Sequence, residues 1–275
     1  MKKIISIALL AALLVSAALL CSCSNGTLVV YTEAGFAPFE YVSGGKIVGV
    51  DVDIMNLVGE KLGKKVVFEN VSFNSIIDAV NKGTLCNVGA AGISITEARK
   101  EKVDFSAEYY TANLYVIYKT TNAADYESTT TSGITGIYWE SLSGKTIAVQ
   151  DGTTADLFLT DEINEDWGTL YGSNAKKTGF SELATALADV GLNCDVLIID
   201  ELPAQMLVKG KSEYKCAPLY YKGENGEADE PASDVYAICV TPGKSEILKA
   251  INDVLAELGK DGIQKLVNKH LGLEG

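Results

Sequence analysis

The chain has 275 residues, and its 23 Lys and Arg against 36 Asp and Glu produce a formal net charge of -13. This acidic balance excludes a general nucleic-acid binder, because the phosphate backbone requires a basic surface. The single histidine, His270, excludes a histidine-centred catalytic triad and a metal site built from several histidines.

The N-terminal segment, residues 1–22, is predicted to be a lipoprotein signal peptide. Lys2 and Lys3 precede an apolar run over 4–20, the arrangement of a charged n-region followed by an h-region. Because this run is shorter than the roughly 20 residues of a membrane-spanning helix, it favours a cleaved signal over an anchor helix. The run ends in Leu-Cys-Ser-Cys, which resembles the lipobox of bacterial lipoproteins with Cys23 as the lipidated residue.

Four cysteines remain after cleavage: Cys86, Cys194, Cys216 and Cys239. No two of them form a CxxC pair, so neither a zinc ribbon nor a dithiol redox motif is supported. Each lies in or beside an apolar, strand-like run, where a buried thiol behaves as a small hydrophobic side chain. This position favours free thiols, although disulfides stay open in an exported protein.

Strands and helices alternate along the first part of the mature chain. The predicted elements are a strand over 28–32, a helix over 51–62, a strand over 66–71, a helix that Ser72 caps and Gly83 ends, and a strand over 87–91. This order is typical of a βαβαβ unit with a parallel sheet.

A second series predicts a similar α/β lobe. Its elements are a strand over 146–150, a helix from about 154, a helix over 181–190 and a strand over 196–199. A last strand over 235–240 and an amphipathic C-terminal helix can pack on either lobe. The polar segment 120–138, rich in Thr, Ser, Gly and Ala, is interpreted as a surface loop or linker.

Ligands of doubly wound α/β units bind beyond the carboxyl ends of the strands. After the strand over 87–91, the Ser94 hydroxyl, the Arg99 guanidinium and free backbone amides can hold a carboxylate. The strand over 196–199 ends at Asp200, which can accept an ammonium group or cap the following helix. A carboxylate clamp and an ammonium partner together are what an α-amino acid requires.

Six stretches carry a resemblance to a known family. They are TEAGFAPFEY (32–41), GVDVD (49–53), AAGISITEAR (90–99), VDFS (103–106), QDGTT (150–154) and IDELP (199–203). They resemble the polar amino-acid family of periplasmic binding proteins that serve ABC importers, occur in that family's order and extend over nearly the whole mature chain. Ala98 departs from the acidic or polar residue usual there, and 120–138 is longer than the family's linker.

The resemblance implies a type II periplasmic-binding-protein fold, with two mostly parallel, helix-flanked α/β lobes joined by two crossover strands. Lobe 1 is then expected over 26–112 and 235–275, and lobe 2 over 113–234. The family further implies a monomer that needs no cofactor or metal, binds a free polar L-amino acid and delivers it to a membrane permease. Lipidation implies attachment to the outer face of the bacterial cell membrane.

The same resemblance implies roles for nine residues. Arg99 would grip the ligand carboxylate with help from Gly92, Ser94 and Thr154, and Asp200 would take the ammonium. The residues around the ligand side chain would be Phe36 and Phe73 as a sandwich, with Glu33 and Gln150 near the tip. Glu33 between aromatic faces favours a cationic side chain, although glutamine and other polar amino acids stay open.

Two alternatives share the fold. A periplasmic cyclohexadienyl or arogenate dehydratase uses a similar carboxylate-binding arginine, and Glu33 would then act as general acid. A ligand-sensing receptor domain is the other alternative. The acidic residues Asp51 and Asp53 are interpreted as structural, because they lie in the first turn of a predicted helix.

Overall fold

The computed structural model describes residues 26–223 and 227–273, so the predicted signal peptide and Cys23 lie outside the described residues. The helices in chain order are α1 (Val50–Leu62), α2 (Phe73–Lys82), α3 (Glu97–Lys100), α4 (Ala123–Tyr126), α5 (Thr154–Asn164), α6 (Leu183–Asp189), α7 (Glu201–Val208) and α8 (Ser245–Leu271). Within the described ranges, no helix is long and apolar enough to cross a membrane.

The strands build two larger sheets and one small one. In chain order they are β1 (Thr27–Thr32), β2 (Gly35–Phe36), β3 (Glu40–Ser43), β4 (Lys46–Val48), β5 (Lys65–Asn70), β6 (Val88–Gly89), β7 (Asp104–Phe105), β8 (Tyr110–Lys119), β9 (Glu127–Thr129), β10 (Thr135–Tyr138), β11 (Thr146–Gln150), β12 (Lys176–Phe180), β13 (Val196–Asp200), β14 (Tyr214–Tyr221), β15 (Glu230–Pro231), β16 (Ser233–Tyr236) and β17 (Cys239–Val240).

The first lobe is built on the sheet β5-β1-β6-β17-β7. β1 pairs in parallel with β5 and β6, while β17 is antiparallel to its neighbours. Leu28 and Val30 of β1 alternate with more exposed residues and enter the same apolar core as Ile54 of α1 and Ile251 of α8. The C-terminal helix therefore packs on the first lobe, which the sequence left undecided.

The second lobe is built on the sheet β12-β11-β13-β8-β14-β10-β9. β11 lies parallel to β12 and β13, and β8 runs antiparallel to β13 and β14. One face of this sheet carries a separate core that includes Val149, Leu159, Ile198 and Trp139, all fully buried. The two separate larger sheets, each flanked by helices, make this a two-lobed α/β protein.

The two lobes are joined where β8 and β16 run antiparallel. β16 pairs with the first four residues of β8, from Tyr110 opposite Tyr236 to Asn113 opposite Ser233. The rest of β8 then continues into the second sheet. The expected lobe boundaries at 112/113 and 234/235 fall inside these two strands.

The interpretation of 120–138 as a surface loop or linker is wrong. The segment forms a 3-10 turn, α4, β9 and β10, and β10 pairs with β14 at one side of the second sheet. Tyr126 and Ile137 are fully buried in that lobe's core. The Thr-rich composition that is typical of a loop also suits a strand, because β-branched side chains fit a pleated surface.

Local signals predicted most element ends, with two differences. Ser72 stands at the N-terminus of α2 but its side chain makes no capping bond, whereas Gly83 ends that helix in the left-handed conformation as expected. The last predicted strand is two strands, β16 and β17, one for each lobe. The four described cysteines are free, and all except Cys216 are buried.

Candidate ligand-binding site

A small cavity lies between the lobes, beside the carboxyl ends of the strands. Its lining residues come from both lobes and are Phe36, Phe73, Gly92, Ser94, Gln150, Thr153, Thr154 and Asp200. The cavity volume is about 10 Å³, about the room that one water molecule needs. An amino acid can enter only if the lobes separate. A larger hollow of about 350 Å³ between α1 and α8 is lined by none of the predicted site residues.

Arg99 is held at this cleft by its own turn. Thr96 caps α3 by accepting a bond from the Arg99 amide. The guanidinium donates to the Ser94 carbonyl at 2.6 Å and, across the cleft, to the Gly152 carbonyl at 2.8 Å. It also lies 5.6 Å from the centre of the Phe73 ring. Burial lowers the pKa of Arg99, an effect that the neighbouring carboxylates of Asp234 and Asp200 oppose.

Gly92 brings its backbone close to the ring of Phe36. It has φ +53°, and a β-carbon there would stand 2.9 Å from a ring carbon of Phe36. Its amide donates to Asp51 Oδ2 at 2.9 Å, so this amide is already bonded within the lobe. Asp51 also accepts from the Tyr109 hydroxyl at 2.6 Å. Its structural interpretation therefore agrees with the geometry, and burial raises the pKa of its carboxyl to about 6.

Asp200 is a buried acid with little hydrogen bonding. It is 5 % exposed, and its Oδ1 atom is buried without a partner in the described part of the chain. The side chain does not cap α7, although the residue stands at that helix N-terminus. Burial first, and the nearby Asp234 second, raise its pKa well above the usual range. A cation placed here would therefore be stabilising.

Glu33 and Gln150 meet from opposite lobes. Gln150 is the last residue of β11 and donates to the Ser181 carbonyl at 3.2 Å. Burial raises the pKa of Glu33, while its bond with the Gln150 amide opposes that rise. Glu33 Oε2 is buried and has no partner in the described residues, which leaves an acceptor for a donor group.

The two predicted aromatic walls have different surroundings. Phe36 is 6 % exposed and packs at 6.0 Å from Phe39 and 6.3 Å from Tyr236, measured between ring centres. Phe73 opens α2 and faces Arg99. Both line the cavity, and their sandwiching of a side chain stays a prediction.

Ser94 and Thr154 meet across the cleft at the carboxylate of Asp234, which the sequence did not single out. Their hydroxyl oxygens are 3.1 Å apart, and both donate to Oδ2 of Asp234 on β16, Ser94 at 2.5 Å. The sequence offered only a weak indication of this role. Asp234 and Tyr236 are two residues apart on a strand, so their side chains lie on the same face of it. The structure therefore places seven of the nine predicted residues in the cavity lining, with Arg99 and Glu33 beside it and bonded to residues of the lining, and it adds Asp234 to them.

Comparison with known proteins gives consistent results over the whole described chain. The family model of bacterial extracellular solute-binding proteins, family 3, matches residues 28–273. The arginine-binding extracellular protein ArtP of Bacillus subtilis (strain 168) is 28 % identical over 244 residues, which is 88 % of this chain and 85 % of ArtP. The L-cystine-binding protein TcyJ of Escherichia coli (strain K12) is 24 % identical, over 91 % of this chain and 84 % of TcyJ.

Solved structures confirm the predicted fold. An ancestral arginine-binding protein bound to arginine has a TM-score of 0.72 and 30 % identity, over 90 % of this chain and 99 % of that one. AbpA of Streptococcus pneumoniae Canada MDR_19A, bound to L-arginine, has a TM-score of 0.75 at 24 % identity, over 90 % and 96 % of the two chains. At 24 % identity, the similarity to AbpA is evidence for the fold alone.

Proposed function

This chain belongs to the bacterial extracellular solute-binding proteins of family 3, and we propose that it binds a free polar amino acid for an ABC importer. The observation that supports this proposal most directly is that a basic and an acidic residue, Arg99 and Asp200, reach the same cleft from opposite lobes. An α-amino acid has the complementary pair, a carboxylate for the guanidinium and an ammonium for the carboxylate. Binding, with no chemical change in the ligand, is the activity this arrangement serves.

Carboxylate recognition is assigned to three groups. A guanidinium has five N–H donors, so Arg99 keeps donors beyond its two bonds to backbone carbonyls. The hydroxyls of Ser94 and Thr154 face it from both lobes. Gly92 contributes room rather than a donor, because its amide is bonded to Asp51.

The ligand side chain is assigned a positive charge. Five carboxyl groups gather around the cleft and its floor, namely Glu33, Glu40, Asp51, Asp200 and Asp234. Glu40 is fully buried, and its pKa is raised well above the usual range by burial and by Asp51, Glu33 and Asp200. A cationic side chain between Phe36 and Phe73, with its tip at Glu33, would offset part of this negative charge.

Closure is the proposed binding motion. The site residues are divided between the lobes, so only a closed form contacts the ligand with all of them. The paired strands of the crossover, Tyr110–Asn113 within β8 and Ser233–Tyr236, are the proposed hinge. Lobe 1 is assigned to 26–112 and 235–275, and lobe 2 to 113–234.

The cellular setting is also part of the proposal. Cleavage after residue 22 and acylation of Cys23 would hold a monomer on the outer face of the cell membrane, next to the permease that receives the amino acid. Two proteins similar to this chain are named as an arginine-binding extracellular protein and an L-cystine-binding protein, which supports an amino-acid ligand.

A thermal-shift panel of the twenty amino acids tests the proposal. A ligand at about 100 times its Kd stabilises the folded protein by about 2.7 kcal/mol, which raises the melting temperature by several degrees. Arginine, lysine or histidine is expected to give the largest shift, and Arg99→Ala to abolish it. A folded protein that none of the twenty stabilises would show that the ligand is not a free amino acid.

A further inference from the structure

Asp234 occupies the bonding positions that the proposed function assigns to the ligand carboxylate. Its Oδ2 atom accepts from Ser94 Oγ on the first lobe at 2.5 Å and from Thr154 Oγ1 on the second. Each hydroxyl has a single O–H donor. A hydroxyl that donates to Asp234 therefore has no hydrogen left for a second carboxylate.

The surroundings of Asp234 hold its carboxyl group in this place. It comes from β16, on one of the two strands that join the lobes, and its Oδ1 atom is buried without a partner in the described residues. The charged and titratable groups around it are Arg99, which attracts it, and Asp200 and Tyr236, which face the same space. Burial raises the pKa of Asp234, while Ser94, Thr154 and Arg99 oppose that rise.

We infer that Asp234 is an internal competitor for the carboxylate subsite: it bridges the lobes through Ser94 and Thr154, and an incoming α-carboxylate must displace it. Two carboxylates at one pair of hydroxyls would also repel each other within a few ångströms. The competition rests on the proposed function, whereas the bridge between the lobes is a property of this chain alone.

Two consequences follow from the competition. The contact favours the closed arrangement through the chain's own groups, so it lowers the apparent affinity for any ligand that needs the same hydroxyls. It also selects among ligands by the charge at that position, because a carboxamide is repelled less by Asp234 than a carboxylate is. Asp234 is thus a specificity-determining residue on a joining strand.

The bridge is tested without any ligand, by small-angle scattering on the protein, Asp234→Ala and Asp234→Asn. Glu230→Ala is the matched control, since Glu230 is an exposed acid on β15, outside the proposed hinge. Both Asp234 variants are expected to have a larger ligand-free radius of gyration than the protein and the control, with Asp234→Ala the larger of the two. An unchanged radius in Asp234→Ala would overturn the bridge.

The competition is tested by calorimetry with the amino acid that the thermal panel selects and with its carboxamide. Asp234→Asn is expected to bind the free acid about tenfold more tightly, because a charge-assisted contact that opposed the ligand is weakened. The carboxamide should gain less. A loss of affinity for the acid, or equal gains for acid and amide, would overturn the competition. Binding of no amino acid by the protein would instead refute the proposed function, and the scattering result would still decide the bridge.

Discussion

The two lobes bring opposite charges to the cleft in opposite states of hydrogen bonding. Arg99 on the first lobe is 7 % exposed and donates to two backbone carbonyls, one of them on the far lobe. Asp200 on the second lobe is equally buried, yet its Oδ1 atom has no partner in the described chain. Burial raises the pKa of Asp200 well above its usual range; burial also lowers the pKa of Arg99, but the carboxylates of Asp234 and Asp200 oppose that effect.

This difference assigns different duties to the lobes. A buried guanidinium that two backbone carbonyls hold in place is rigid and oriented, and its remaining donors suit recognition of a planar carboxylate. A buried carboxylate without compensation is costly, so a ligand ammonium that reaches it relieves an existing cost. Under the proposed function, Arg99 on the first lobe is prearranged for the ligand, and Asp200 on the second lobe gains its partner only from the ligand.

Removal of the Arg99 guanidinium should have the largest effect on amino-acid affinity. Arg99→Ala leaves the ligand carboxylate buried without its main partner, at a cost of about 3 to 5 kcal/mol in binding. Calorimetry should find no measurable amino-acid binding by a variant whose circular dichroism is unchanged. Lys100→Ala, which changes the exposed neighbour on the same helix, should bind normally. Near-normal affinity of Arg99→Ala would show that another group holds the carboxylate.

Removal of the Asp200 charge should stabilise the ligand-free protein and weaken ligand binding. Because the folded pKa of Asp200 is raised, the folded state binds its proton more readily than the unfolded chain does, and stability falls as pH rises. Asp200→Asn should therefore raise the ligand-free unfolding free energy at pH 8 by more than at pH 4, in denaturant titrations.

The same variant should weaken every α-amino acid alike, by about tenfold or more, because it touches their common ammonium. Glu201→Gln is the control, since this neighbouring carboxylate accepts a bond from Tyr115 outside the cavity lining. A lower unfolding free energy of ligand-free Asp200→Asn at pH 8, or a loss of affinity for one amino acid only, would contradict this account of Asp200.

The smallest effect is expected at the side-chain end of the site. Glu33→Gln keeps the size of the side chain and removes its charge, so cationic amino acids should lose about 1 kcal/mol and neutral ones little. Affinities for lysine and glutamine measured side by side provide the check. Glu69→Gln, an exposed change on β5, serves as the control. Equal losses for lysine and glutamine would remove the preference for a cationic ligand.

Elements bounded by strong local signals were predictable. The strand predicted over 146–150 has those bounds in the structure, because a β-branched and apolar run is followed at once by a turn at Gly152. α1 begins one residue before its predicted start and ends where Gly63 takes the left-handed conformation. Such signals depend only on near neighbours along the chain.

The segment 120–138 was not predictable by the same means. Its Thr and Gly residues suit either a loop or a strand, and the outcome depends on a distant partner. Gly136 lies against the ring of Tyr220, on the neighbouring strand β14. Strand preference of this kind is set by the neighbouring strand and by burial rather than by the residues themselves.

Some residues of the candidate site were likewise predictable from the sequence, and one was not. The resemblance located Arg99, Asp200 and the residues around them, because short motifs lie at the ends of strands whose order is encoded locally. It did not indicate Asp234, whose two partners lie 140 and 80 residues away along the chain. Nothing in a stretch of neighbouring residues marks such a contact.

The sequence by itself determined the α/β alternation, the family and most residues of the cleft, since periodicity, caps and motifs are properties of adjacent residues. Only the tertiary structure decided which sheet each late strand joins, that Asp200 is buried without a partner, and that Asp234 meets Ser94 and Thr154. The physical reason is that burial and hydrogen bonding depend on every atom that surrounds a group, and in the cleft some of those atoms come from the other lobe.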